Sequence, residues 1–365
     1  MRHSKIGSLI TPIDERNSER KSYPVLGINR DKDFMPTVAS MDGIDTSKYK
    51  VVRDGMFVFS GMQTGRDMCI RIALYTKDAP CIISPAYTTF SIKESEEMLP
   101  EYFFMYFNRE ESDRYGAFLS DSSVRANLDW ERFLDIEIPH PSLSEQQKAV
   151  NVWKAFREIK EQNEAIAAPL MQVCQSYIQE LKHKYESVEI GPWIEEIDER
   201  NSDLSIKLSQ GIANTKVFQT PKQVAANSKS DKIVRKGSFG YNRATTRNGE
   251  KISIAYREGP DCTVSSAYGV FRIVDENVIN PRFLWMWVSR AEFDRYARYM
   301  SKGSAHEFFE MDEMKRVRIP LPPIEVQRAI VNIYNCANEA KRIAEEADRK
   351  SREVCPALLQ YIINS

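Results

Sequence analysis

Two long stretches of the chain carry apolar positions at alternating spacings of four and three. In the first, Val152, Phe156, Ile159, Asn163, Ile166, Leu170, Val173, Tyr177 and Leu181 form the stripe, and in the second Ile333, Ala337, Ala340, Ala344, Ala347, Ser351, Val354, Leu358 and Ile362. Heptad spacing of this kind keeps one face of a helix apolar and predicts helices packed along a seam. The first stripe is bulky where the second is mostly alanine, so an antiparallel pair within one chain fills space better than like against like. Pro169 removes a backbone donor inside the first helix and predicts a kink or break near Ala167. Ahead of the second stripe the period changes. Residues 233–241 and 252–257 read as strands joined through Asn248-Gly249, a strong hairpin turn, and 269–274 as a further strand. Residues 281–300 read as one helix with Pro281 in its first turn.

The chain is also written twice. Ile13-Asp14-Glu15-Arg16-Asn17-Ser18 recurs as Ile197-Asp198-Glu199-Arg200-Asn201-Ser202, an offset of 184. Val52-Arg53-x-Gly55-x-Phe57 recurs as Val234-Arg235-x-Gly237-x-Phe239 at 182, after which the offset settles at 181. There Ser84 to Phe90 matches Ser265 to Phe271, Asp113-Arg114-Tyr115 matches Asp294-Arg295-Tyr296, Ile138-Pro139-x-Pro141 matches Ile319-Pro320-x-Pro322, and Gln146 matches Gln327. A period this long means duplicated domains rather than a solenoid. The predicted organisation is a domain over 1–142, a helix over 143–185, a second domain over 186–323 and a second helix over 324–365. Its fold class is mixed α/β (α+β), with a pseudo-twofold internal repeat.

Composition narrows the function. Lys+Arg 51 against Asp+Glu 52, with 42% hydrophobic residues, describes an ordinary globular protein without a polybasic coat. The polar N-terminal stretch predicts neither secretion nor a membrane span, and six scattered cysteines without a CxxC pair predict reduced thiols in a cytoplasm. No phosphate loop, GxGxxG, HExxH or GxSxG occurs, and His3, His140, His183 and His306 lie far apart, so no catalytic or metal-ligating residue is nominated. The duplicated Asp-Glu-Arg reads as a structural turn or helix start rather than as catalytic.

What remains is a binding surface. Between Asp203 and Pro260 stand eleven Lys/Arg and four Asp/Glu, a net of +7 in a neutral chain. Arg243, Arg247 and Lys251 flank the predicted hairpin tip, Lys216 and Lys222 precede it, and Arg66 and Arg71 hold the matching place in the first copy. Arginines on a two-stranded ribbon present paired donors to guanine edges or to phosphates; a solvated loop with ordinary surface lysines is the alternative for any one of them. Framework segments match between the copies whereas the hairpin tips and the stretches 29–50 and 213–232 do not. Two equal scaffolds with different loops would read two different short targets rather than a palindrome. Tyr87 and Tyr268, being duplicated framework residues, are expected to pack rather than touch DNA.

The chain resembles the specificity subunit of type I restriction-modification systems. The likeness rests on Ile138-Pro139-His140-Pro141-Ser142-Leu143-Ser144-Glu145-Gln146-Gln147, similar to the family's approach to its long helix, and on Ile319 to Gln327 as the second variant. It implies two target recognition domains reading a split, asymmetric double-stranded DNA sequence, with two methyltransferase subunits docked largely on the long helices and restriction subunits joining them. It implies no cofactor on this chain, with S-adenosylmethionine, ATP and Mg in the partners, and no catalysis by the chain itself. A recognition subunit of a related type IIB/IIG-like system, or a non-enzymatic DNA-binding scaffold, is the alternative reading. At 1.5 Å per residue a helix from Ser144 to His183 would be about 60 Å long, a ruler for the unread base pairs between half-sites.

Overall fold

The structure, a computed structural model, describes residues 2–38, 40–94, 97–221, 228–245, 251–303 and 307–364. It divides into two compact units, Met1–Glu164 with Arg342–Ser365, and Ala165–Lys341. Each therefore combines one copy's globular part with portions of both long helices.

In the first unit an antiparallel sheet runs in the order Ile10–Ile13, Thr88–Ile92, Phe57–Ser60, Arg71–Leu74. In the second the order is Ile194–Glu196, Tyr268–Ile273, Ser238–Asn242, Ile254–Tyr256, with every neighbour again antiparallel. Phe57 stands opposite Phe90 with rings stacked at 5.0 Å, and Phe239 opposite Phe271 at 4.8 Å. Such cross-strand pairs stabilise a sheet by locking neighbouring strands face to face, and all four rings are buried. A short clasp precedes each long helix: Arg2–Lys5 pairs with Glu137–His140, and Ser187–Glu189 with Arg318–Pro320. The matched turns Ser84–Tyr87 and Ser265–Tyr268 lead into the second strand of each sheet, and Tyr87 and Tyr268 pack against small apolar clusters, as their duplication predicts.

The sequence predicts one strand over 233–241, but two form, Lys232–Val234 and Ser238–Asn242. Gly237, at φ +89°, turns the chain between them in a conformation that other residues rarely adopt. The helix expected over 281–300 is likewise two, Pro281–Val288 and Ala291–Met300, although no proline or glycine lies between. The Val288 carbonyl, which would accept from residue 292 in a continuous helix, accepts instead from the buried Lys216 ammonium at 2.9 Å. In the first copy Lys32 takes the Phe107 carbonyl in the same way, at the junction of Pro100–Phe107 and Glu110–Leu119.

The long helices span Leu143–Lys184 and Ile324–Asn364, within a residue of the expected bounds. Ser142 and Glu145 form a reciprocal cap, with the Ser142 amide donating to Glu145 at 3.0 Å and the Glu145 amide to the Ser142 hydroxyl at 3.4 Å. Pro169 does not divide the first helix, and the second carries Pro356 inside it as well. In the first unit Ala149, Val150 and Trp153 share a core with Cys355, Leu359 and Ile362, while Lys160, further along, pairs with the earlier Asp348 at 2.9 Å. The helices therefore run antiparallel. In the second unit the Cys174 thiol reaches the Ile330 carbonyl at 3.9 Å.

The seam itself differs from the predicted stripe. Ala337, Ala340, Ala344 and Ala347 are buried as expected, and Phe156 and Leu170 partly so, but Ile159, Ile166, Val173 and Val354 are exposed. Leu181 and Ile362, at the ends of the two stripes, are buried as expected, but other deeply buried positions lie off the stripes, among them Trp153, Cys174 and Ile178 on the first helix and Cys355 and Leu359 on the second. These belong to the cores of the globular parts. Each helix turns its most apolar face toward a domain, and a pattern tuned to helix pairing lies about one position away from that face.

Candidate nucleic-acid interface

The hairpin tips are built on a duplicated anchor. In the second unit the Lys216 ammonium lies 2.7 Å from the Asp294 carboxylate, both side chains 8% exposed, and the same carboxylate accepts from the Ile252 amide at 3.2 Å. In the first, Lys32 meets Asp113 at 2.9 Å, and Asp113 accepts from the Ile70 amide at 2.8 Å. Lys216 and Lys32 both sit at positive φ, 65° and 66°. Burial pulls the Lys216 pKa below that of an ordinary lysine, against the opposing pull of Asp294. One carboxylate thus joins a loop lysine, the end of the aromatic helix and the start of the strand that leaves the tip.

The repeated Ile-Asp-Glu-Arg-Asn-Ser segments are structural too, holding a strand rather than starting a helix. Asp14 binds Arg16 at 2.8 Å and Lys50 at 3.2 Å, and Asp198 binds Arg200 at 2.6 Å and Lys232 at 3.0 Å. The guanidinium hydrogen bonds hold both carboxyls below the usual carboxylate range. Arg53 grips Glu15, and Arg235 grips Glu199, each through two hydrogen bonds. Gln146 and Gln327 are fully buried and tie each long helix to its domain: Gln146 accepts from the Leu99 amide at 2.8 Å, Gln327 from the Asn280 amide at 2.9 Å, and each donates to two carbonyls.

Above these anchors each tip joins two loops by matched backbone bonds. Leu128 N donates to Gly61 O at 2.8 Å and Gly65 N to Ala126 O at 2.9 Å; in the other copy Phe309 N donates to Arg243 O at 2.8 Å and Thr245 N to Glu307 O at 3.0 Å. The approach is close at Gly61, where a Cβ would stand 1.7 Å from the Leu128 carbonyl oxygen. Arg66 projects from the first tip, 62% exposed, with Met62, Met68, Val124 and Arg125 exposed beside it. Arg66 lies 3.6 Å from the Asp67 carboxylate, Arg71 turns to the same carboxylate, and Arg30 donates to the Asp67 carbonyl at 3.0 Å.

The basic segment is mostly consumed inside the fold. Lys216, nominated as a contact, is buried on Asp294 and has no charge to offer outward, because a lysine placed that deep must be paired. Lys232 is spent on Asp198, Arg235 on Glu199 and Asp261, and Arg257 on Gln210 and the Pro260 carbonyl. Arg243 is half-buried and meets Glu310 at 3.2 Å. Lys251 is exposed, whereas Lys222, Arg247 and the Asn248-Gly249 turn lie outside the described residues. The strands that the turn joins, Ser238–Asn242 and Ile254–Tyr256, do pair antiparallel. Sequence reasoning passed over Arg125 and the Lys–Asp anchors; the matched Asp113 and Asp294 were the visible trace of the latter.

All six cysteines are free, and burial pushes the matched Cys81 and Cys262 thiols up to about 11, which leaves them inert. No helix among the described residues is long and apolar enough to cross a membrane, and no group of three or more metal-ligating side chains is gathered among them.

Comparison with known proteins agrees with the duplication. Residues 5–168 and 181–335 each match the family model described as type I restriction modification DNA specificity domain. No curated protein matches the chain in sequence. A crystal structure of the type I restriction-modification S subunit from M. genitalium is similar over 99% of this chain and 95% of its own, at 12% identity and TM-score 0.67. The HsdS subunit from Thermoanaerobacter tengcongensis matches over 99% and 96% at 16% identity and TM-score 0.39.

Proposed function

The chain belongs to the type I restriction modification DNA specificity domain family, and on that premise we propose that its two domains each read one half of a split, asymmetric double-stranded DNA target. It is a specificity subunit. The observation that carries the reading is the contrast between matched anchors and unmatched tips: the same backbone bonds hold Gly61 and Gly65 in one domain and Arg243 and Thr245 in the other. Equal platforms with different side chains present different donors to base edges. Arg66 and Lys251 are the nominated residues whose side chains stand exposed for that role.

In this reading the chain supplies recognition and no chemistry. Methyltransferase subunits dock on it, restriction subunits complete the assembly, and S-adenosylmethionine, ATP and Mg belong to those partners. Exposed Ile166, Val173 and Tyr177 on the first long helix support a docking role for that face, since apolar side chains left out of the cores are what a partner would cover. The test is co-expression with candidate methyltransferase subunits followed by genome-wide mapping of methylated adenines. A split, non-palindromic motif is expected; a palindrome, or methylation without sequence preference, would refute it.

A further inference from the structure

The matched segments Asp113-Arg114-Tyr115-Gly116-Ala117-Phe118 and Asp294-Arg295-Tyr296-Ala297-Arg298-Tyr299 do two things at once. Their aspartates face inward and hold the buried lysines. Their last residues face outward. Phe118 is 81% exposed and Tyr299 86%, each in the final turn of a ten-residue helix, Glu110–Leu119 and Ala291–Met300. What sets these two rings apart from the other exposed apolar side chains is that the bareness is repeated at the same register position in both copies. Arg114 and Arg295, both exposed, stand four residues earlier and so share a face with the ring.

Position adds a second observation. The helix that carries Phe118 ends at Leu119 and runs into the loop that bonds the first tip, where Arg66, Val124 and Arg125 are exposed. The acidic residues Glu110, Glu111 and Asp113 lie in its opening turn, and Glu111 meets Arg114 at 3.5 Å in an exposed pair weak enough for a phosphate to displace. A bare ring in a cationic surround is complementary to nucleic acid, whose phosphates meet the arginines while the π-face meets a base. A protein-docking patch of the same size would be dry at its centre and depleted in charge.

We propose that Phe118 and Tyr299 are apolar wedges, each pressed into the base stack of one DNA half-site while Arg114 or Arg295 holds an adjacent phosphate. This rests on the split-target reading above. The duplicated ring supplies the same deformation at both half-sites, and the unmatched hairpin side chains supply the difference in sequence. The Lys–Asp anchors act as positioning residues, because they fix the helices that carry the rings. Wedging of this kind unstacks a step locally, and stacking on the ring itself accepts any base.

The experiment uses the full chain in complex with its methyltransferase subunits, on a duplex carrying its mapped target with 2-aminopurine placed in turn through each half-site. Phe118→Ala and Tyr299→Ala are each expected to weaken binding by roughly five- to a hundred-fold, the range for a lost base–aromatic stack. Each should also abolish the fluorescence rise of unstacking at one half-site alone. Phe118→Tyr and Tyr299→Phe keep a ring and should keep both readouts. Alanine variants that bind and unstack DNA like the parent would overturn the proposal. So would alanine variants that lose co-purifying methyltransferase subunit, which would make these rings a protein contact. A parent complex that methylates no split site fails before any variant is made, and takes the split-target reading down with this one.

Discussion

Replacing Lys216 by methionine separates a structural lysine from a DNA contact. The substitution keeps the length of the side chain but leaves Asp294 charged, 8% exposed and without its ammonium, and leaves the Val288 carbonyl without its donor. Removing one partner of a buried pair costs about 3–5 kcal/mol. For a unit of this size that is a fall of about 2–4 °C per kcal/mol, so on the order of 6–20 °C in the midpoint of thermal unfolding. Hydrogen exchange should place the loss in the second unit, at Ile252 and around the junction of residues 288–291. The double variant Lys216→Met/Asp294→Leu removes the orphaned charge. It should recover all but the roughly 1–3 kcal/mol apiece that the still unpaired Ile252 amide and Val288 carbonyl cost. Burial holds the Lys216 pKa below its unfolded value, so between those two values the unfolded chain binds more protons and stability rises with pH; the variant should lose that slope. The reasoning is refuted if the midpoint stays within a degree or two of the parent while DNA affinity falls and the salt slope drops by about one, which is the signature of a phosphate contact.

Further outcomes follow from the same geometry. Gln327→Leu leaves the Asn280 amide and the Val278 and Pro322 carbonyls without their buried partner, and at about 1–3 kcal/mol per group should destabilise the second unit by several kcal/mol in urea titration. Gly61→Ala puts a methyl group 1.7 Å from the Leu128 oxygen; methylome mapping should show recognition of one half-site lost and the other retained. Arg66→Ala should relax discrimination at one position of one half-site by about 1–3 kcal/mol, read as methylation of near-cognate sites. Inserting one helical turn, about four residues, between Lys160 and Tyr177 should change the gap between half-sites and leave their sequences intact; altered half-site bases with an unchanged gap would end the ruler idea.

The repeat, the sheet-forming segments and both long helices were legible because they rest on local pattern: alternation, turn residues, heptad spacing, and identity in register. The helix faces were not. A stripe through Phe156, Ile159, Ile166 and Val173 satisfies helix pairing, yet two demands compete for one helix surface, and the domains took the side holding Trp153, Cys174 and Ile178. Spacing alone cannot say which of two apolar neighbours wins. The break at residues 288–291 was equally hidden, since its cause is a lysine more than seventy positions earlier in the chain that takes the Val288 carbonyl. Long-range satisfaction of a backbone group leaves no mark within the helix itself.

Charge shows the same limit and carries a consequence for binding. The basic segment has a net of +7 in sequence, but among its described residues Lys216, Lys232, Arg235, Arg243 and Arg257 are engaged with acceptors of the fold. A lysine or arginine already paired with a carboxylate releases no counterion when DNA arrives unless that pair is first broken, so it adds little to affinity. The exposed cations nominated for contact reduce to Arg66 at one tip and Lys251 beside the other, joined by Arg114, Arg125 and Arg295. Arg66 lies 3.6 Å from Asp67 and Arg114 3.5 Å from Glu111, but such long pairs of exposed arginines are the ones a phosphate displaces most cheaply. A surface with so few phosphate partners, on a chain of formal charge -1, should show a shallow salt dependence by itself. In the proposed assembly the bulk of the electrostatic attraction would then come from partner subunits, with this chain's share of the binding energy concentrated in a few tip side chains. Measured as the slope of log affinity against log salt, the isolated chain should lie well below the assembled complex; equal slopes would mean that cations outside the tips carry the DNA.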